Sequence, residues 1–196
     1  PLTKAVNKQL LPLYDKPLIF YPLSVLMLAG IKRILIIVNK GQLNQFRKIL
    51  PEKNNLGISL EYKEQTKPAG LPEAFTIGEK FIGKDNVSLI LGDNFFYGQS
   101  LTKILKKNIN LKTGAKIFIH PVKNPNLYGV ATLNENKNVI KLIEKPKKTN
   151  SNFAVTGLYF FDNEVIKFTK KLKPSKRNEL EIIDLLNMYK KKNKLK

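Results

Sequence analysis

The sequence predicts an α/β layer fold with a largely parallel sheet. Three observations carry that expectation. Short β-branched runs recur along the chain up to about residue 125, helix-period segments separate them, and neither a linker nor an internal repeat interrupts the series. Residues 1–196 therefore read as a single domain.

"RILIIV" (33–38), "ISLEYKE" (58–64), "VSLILGD" (87–93) and "AKIFIHPV" (115–122) read as strands, being apolar, β-branched and bounded by polar or turn-forming residues. "YPLSVLMLAG" reads as a helix with Pro22 near its first turn and Gly30 as its stop. "QLNQFRKIL" (42–50), "LPEAFTIGEKF" (71–81) and "SLTKILKKN" (100–108) carry the helical period between the strands. Farther on, "YGVATLN" and "VIKLIEKP" flank the polar tetrapeptide "ENKN", which predicts a hairpin. "FAVTGLYFFD" (153–162) is a further strand, followed by a helix over about 163–172 and a last helix in "NELEIIDLLNMYKKK". Asn178 with Glu181 three residues on suggests a capping box. Ile182, Leu185, Leu186 and Tyr189 then form one apolar stripe.

Composition narrows the function classes. No apolar run approaches the roughly 20 residues that span a bilayer, and the pattern of a secretory leader is not seen, so a cytoplasmic protein with no membrane association is expected. Cysteine is absent, which excludes disulfides and thiolate metal sites. The net charge of +20 rests almost wholly on lysines, since only Arg33, Arg47 and Arg177 are arginines. Nucleic-acid readers rely on arginine forks, and these lysines are spread along the whole chain, so specific nucleic-acid binding is not expected.

Several short motifs can carry chemistry, each with a plainer alternative. "LILGDN" (89–94) ends a buried strand in a carboxylate, where an aspartate can hold Mg²⁺ together with substrate phosphates or simply sit in a turn. "EKP" (144–146) offers a carboxylate for hydroxyls and an ammonium for phosphate, or only solvated charge before a proline. "EQTKPAGLPEAF" (64–75) places Gln65, a matched donor and acceptor, and Gly70 in a loop that could read a pyrimidine edge or be a plain loop. "YGV" (128–130) and "VTGLY" (155–159) set a glycine near an aromatic, which also suits packing. "NKQLLPLYDKPLIF" (7–20) holds Lys8 and Gln9 just ahead of a proline-stiffened loop. His120, the one histidine, has no zinc partners in the sequence and reads as structural.

Taken in order, "KQLLPLYDKPLIFYPLSVLMLAGI", "EQ…GL", "LGDN", "YGV", "EKPK" and "AVTGLYFFD" resemble the bacterial sugar-phosphate nucleotidylyltransferases, and the likeness runs over all 196 residues. The resemblance implies a Rossmann-like mixed sheet with helices on both faces. It also implies transfer of a thymidylyl group from dTTP to glucose 1-phosphate with Mg²⁺, giving dTDP-glucose and pyrophosphate at the head of dTDP-rhamnose synthesis. Lys8 would bind the nucleotide phosphates and Gln9 the deoxyribose region, while Gln65 and Gly70 would read the thymine. Asp93 would be a metal ligand, with Leu91 and Asn94 beside the sugar. Gly129, Glu144, Val155 and Tyr159 would line the hexose pocket with Tyr128 flanking it, and Lys145 would grip the sugar phosphate. The family commonly forms homotetramers.

The sequence also departs from the family pattern. Family members carry a glycine-rich Gly-x-Gly-Thr-Arg loop just before the position of "KQLLP", and a later Trp-Leu-Asp-Thr-Gly stretch whose aspartate is a second metal ligand. Neither is present in these residues, which predicts that residues 1–196 alone are catalytically silent and marginally soluble. Ala69 stands where the family usually has an acid, and Pro72 is unusual there. Two alternatives stay open on this reading: a non-catalytic remnant that holds nucleotide, sugar phosphate or nucleic acid by charge, and a transferase using another nucleotide such as UTP.

Overall fold

The computed structural model describes residues 6–196. They form two compact units. The first comprises the chain up to Pro68 together with Ile90–Asn110, and the second Ala69–Leu89 with Leu111–Lys196.

In the first unit a 3-10 turn, Lys8–Leu10, leads into a two-residue hairpin of β1 (Pro12–Leu13) and β2 (Lys16–Pro17). Helix α1 (Phe20–Leu28) follows, with Pro22 in its first turn, where a missing N–H costs nothing because that group has no partner within the helix. Strand β3 (Arg33–Asn39) alternates buried Ile34, Ile36 and Val38 with more exposed neighbours, the period of a half-covered strand. After helix α2 (Leu43–Ile49), strand β4 (Ser59–Gln65) returns parallel to β3, in register from Arg33 opposite Ser59 to Asn39 opposite Gln65. Ile19, Leu23, Leu26, Ile34, Ile36, Val38, Phe46, Leu50 and Leu60 make one core. Helix α5 (Leu101–Ile109) completes the unit.

In the second unit the segment expected as one helix over 71–81 is two short ones, α3 (Glu73–Ile77) and α4 (Glu79–Ile82). Gly78 divides them: its φ and ψ (−86°, 2°) leave the helical basin. Strand β5 (Val87–Ile90) pairs with β9 (Phe153–Phe161) in a sheet ordered β5-β9-β7-β8, and β6 (Ala115–Pro121) also pairs with β9. The predicted hairpin is present as β7 (Gly129–Leu133) and β8 (Val139–Glu144), closed by the Asn134–Asn138 turn. Helices α6 (Glu164–Thr169) and α7 (Ile182–Lys191) follow the sheet in sequence. Phe75, Phe161, Phe168, Leu185, Leu186 and Tyr189 belong to its core, so the predicted stripe of α7 faces inward.

The α/β class holds, but the strands divide among separate sheets and the parallel share is smaller than strand–helix alternation implies. β3–β4 is a parallel pair, whereas β6–β9, β7–β8 and β7–β9 are antiparallel. The capping box at Asn178 does not form. Asn178 takes a left-handed φ of 57°, and Glu181, itself extended, immediately precedes α7. Its carboxylate is engaged by Arg177 and Ser175 instead.

Candidate active site

In the first unit, Asn7 builds the local turn that presents Lys8 and Gln9. Its side-chain oxygen accepts the Gln9 N–H at 2.9 Å, and the Gln9 carbonyl accepts the Ile19 N–H at 2.9 Å. The Lys8 ammonium then lies 2.9 Å from Asp93 Oδ2, with the lysine side chain 59% exposed and the aspartate 34%. Asp93 follows β5 in a turn where the Asn94 N–H donates to the Leu91 carbonyl at 3.2 Å. Gly92 lets this turn approach the opening segment, since a Cβ there would stand 3.0 Å from Gln9 Cγ. Lys8, Gln9 and Asp93 are thus brought together. Gln65 ends β4, where its carbonyl accepts the Lys40 N–H at 3.0 Å.

Gly70, Tyr128, Gly129, Glu144, Lys145, Val155 and Tyr159 belong to the second unit. Gly129 and Glu144 face each other across the β7–β8 ladder. A Cβ on Gly129 would lie 2.5 Å from Ile183 Cδ1 and 3.3 Å from Glu144 Oε2, so a methyl there would have to displace the Ile183 side chain. Glu144 is raised above the ordinary carboxyl range, first by burial and then by Glu181, against the opposing pull of Arg177 and Lys145. Strand β8 ends at Glu144. Lys145 leaves it with φ 39°, its N–H donating to the Tyr128 carbonyl at 3.0 Å and its side chain exposed before Pro146. Tyr128 is 44% exposed. Val155 and Tyr159 are both buried in the core of this unit, and Tyr159 stacks on Phe161 with ring centroids 6.1 Å apart. Burial, with the Glu144 charge second, pushes the Tyr159 hydroxyl far above the usual phenol value, so it stays protonated.

Sequence reasoning passed over two residues of this region. The Arg177 guanidinium bonds Glu181 at 2.7 Å and 3.1 Å and reaches Glu144 at 3.2 Å. Burial works to raise the Glu181 carboxyl, but Arg177 and the Ser175 hydroxyl outweigh it and hold the group below its ordinary value. The available signals were the rarity of arginine and the i,i+4 spacing of Arg177 and Glu181. The carboxylate of Glu144, 33 residues away, could come only from the fold.

A divalent cation can be tested against these residues. Among the described residues no group of three His, Asp or Glu side chains could cage an ion. Asp93 alone suits a cation that takes its other ligands from phosphate oxygens and water, the usual habit of Mg²⁺. Asp93 fits a divalent cation whose remaining ligands come from elsewhere.

The family model for nucleotidyl transferases matches residues 1–196, across both units. A glucose-1-phosphate thymidylyltransferase of Neisseria meningitidis is 53% identical over 189 residues, covering 96% of this chain and 66% of the relative. One of Mycolicibacterium smegmatis is 46% identical over 189 residues, again 96% of this chain, and 65% of the relative. The chain thus spans slightly less than two thirds of the length of these curated relatives. A Bacillus anthracis crystal structure provisionally given the same name superposes with a TM-score of 0.91 at 37% identity, covering 100% of this chain and 78% of the other. A UDP-glucose pyrophosphorylase bound to UDP-glucose does so with a TM-score of 0.80 at 25% identity, over 98% and 81% of the two chains. With its whole length matched by the family model, the chain belongs to the nucleotidyl transferase family.

Proposed function

We propose that the protein carrying this chain transfers a thymidylyl group from dTTP to glucose 1-phosphate, releasing pyrophosphate and forming dTDP-glucose. The Lys8–Asp93 contact is the observation that carries the reading. The Lys8 ammonium and the Asp93 carboxylate lie 2.9 Å apart just beyond the carboxyl end of a strand, the ordinary location of ligands in α/β sheets, and their charges suit a phosphate and a cation. The relatives that share up to 53% of its residues bear the thymidylyltransferase name, which supports the choice of substrates.

A phosphate oxygen of glucose 1-phosphate attacks the α-phosphorus of dTTP in line, and the bond from that phosphorus to its bridging oxygen breaks as pyrophosphate departs. Lys8 neutralises charge on the nucleotide phosphates, and Lys145 does so on the sugar phosphate. Such reactions depend mainly on positioning and charge stabilisation. Asp93 would hold a divalent cation, Mg²⁺, whose chemistry is to neutralise charge developing on phosphate oxygens. Gln9 lies toward the deoxyribose, and Gln65 with the Gly70 backbone reads the pyrimidine. Leu91 and Asn94 stand beside the sugar. Glu144 accepts hydrogen bonds from hexose hydroxyls, with Tyr128, Gly129, Val155 and Tyr159 shaping that pocket. A cytoplasmic homo-oligomer is part of this reading, as the family resemblance implies. No helix among the described residues is long and apolar enough to cross a membrane.

The test is pyrophosphate release and dTDP-glucose formation by the full protein given dTTP, glucose 1-phosphate and Mg²⁺. A correctly folded full protein that forms no dTDP-glucose from these substrates would overturn the reading.

A further inference from the structure

The segment joining α6 to α7, together with the first turn of α7, touches two places to which the proposed function gives different substrates. At one end the Leu180 N–H donates to the Ala69 carbonyl at 2.7 Å, and a Cβ on Gly70 would fall on the Leu180 carbonyl oxygen. At the other, Ile183 presses its Cδ1 to within 2.5 Å of where a Gly129 Cβ would be. Between them Glu181, only 7% exposed, accepts from Ser175 Oγ at 2.6 Å and from Arg177 Nε and Nη2, and the same Nη2 also reaches Glu144. Buried charge held by a fork and a hydroxyl makes a stiff joint, because releasing either partner leaves a carboxylate short of hydrogen bonds.

We propose that Glu181 is a positioning residue that links the Gly70 loop to the Glu144 pocket, so that binding at the sugar side pre-orders the base side. The chain of contacts is continuous: Glu144 to Arg177, Arg177 to Glu181, and from Glu181 one residue back to Leu180 on Gly70 and two residues on to Ile183 over Gly129. Sugar phosphate drawing on Glu144 pulls on Arg177, and Glu181 passes the constraint to both neighbours. Each ligand then meets a site whose ordering the other has already completed, which makes the affinities interdependent and equally so in both directions. The assignment of the two ligands rests on the proposed function. The mechanical link does not.

The experiment is Glu181→Gln in the full protein, which keeps the length of the side chain and an acceptor for Ser175 but removes the charge that anchors Arg177. Without ligand, amide hydrogen exchange at residues 69–71 and 128–130 should quicken together by about tenfold while that of β6 stays unchanged. Acceleration confined to 175–183, or spread evenly over the chain, overturns the link. With substrates, dTTP should tighten glucose 1-phosphate binding severalfold in the native protein, and Glu181→Gln should abolish most of that factor. Glu181→Asp should retain part of it, and Arg177→Lys, which has charge but no fork, should behave as Glu181→Gln. An undiminished factor in Glu181→Gln overturns the proposal. Should the native protein make no dTDP-glucose, the thymidylyl reading fails while the exchange measurement still decides the link.

Discussion

The Lys8 ammonium rests 2.9 Å from the Asp93 carboxylate, across 85 residues of sequence, and neither group is buried. Half-exposed ion pairs of this kind contribute roughly 0–1 kcal/mol to stability. Their value here lies in where they hold their charges. A nucleotide arriving with a cation would exchange the pair for two better ones: lysine with phosphate, and aspartate with the cation.

Lys8→Met and Asp93→Asn should therefore separate folding from function. Each should change unfolding free energy by no more than about 1 kcal/mol, while turnover in the full protein falls by about a hundredfold or more as charge at the α-phosphorus loses its counter-charge. Denaturant melts beside pyrophosphate release check this. Near-native turnover in folded Asp93→Asn would remove Asp93 from the site.

Gly70→Ala should be the most damaging of the small changes. Its φ of 104° strains any side chain, and the added methyl meets the Leu180 backbone, which cannot swing aside as a side-chain tip can. We expect a loss of about 3 kcal/mol or more. A thermal melt within a degree or two of the native protein would show that the 178–181 segment is not held on this loop.

How far the sequence could be read depended on the range of the interaction involved. β3, β4, β6 and β9 were legible because β-branched runs bounded by turn residues specify strands locally. Their pairing was not. The antiparallel partners of β9 lie in β6 and β7, and strand–helix alternation carries no record of those long-range ladders. Gly78 was hidden by an apolar period that continues across it. Asn178 and Glu181 had the spacing of a capping box, but Arg177 competes for the same carboxylate and wins, leaving Asn178 in a left-handed turn. At the candidate site, Lys8 and Asp93 could be named from their motifs, and their meeting required the fold.

Gly129→Ala tests the proposed sugar side by crowding. The methyl would sit 2.5 Å from Ile183 Cδ1, a buried side chain with little room, and 3.3 Å from Glu144 Oε2. Overpacking of this kind costs about 1–3 kcal/mol. The KM for glucose 1-phosphate should rise about tenfold or more, because a displacement of order an ångström at a positioned group costs that much or more, and that for dTTP by less. Equal rises in both would place Gly129 away from the sugar.

Two carboxyls, Glu144 and Glu181, share the Arg177 guanidinium and respond to pH in opposite senses. Burial and the neighbouring Glu181 raise Glu144 above its ordinary 4.5, so the folded protein holds that proton where the unfolded chain has lost it. Glu144 thus withdraws stability as the pH climbs through the window above 4.5 and returns it on acidification. Glu181 sits below 4.5 despite its burial, owing to Arg177 and Ser175, so its stabilisation is complete above that value and lost as the pH falls through its lowered one. Glu144→Gln should leave stability at neutral pH within about 1 kcal/mol of native or raise it, and should remove the gain on mild acidification. Glu181→Gln should lower neutral stability by about 1–3 kcal/mol, the usual cost of taking a charged partner from a hydrogen bond, and should flatten the loss at acid pH. Denaturant unfolding from neutral pH down to about pH 3 reads both slopes, that of Glu144 above 4.5 and that of Glu181 below it. Parallel slopes for the two variants would mean that the carboxyls do not divide Arg177 as the 2.7 Å and 3.2 Å contacts imply.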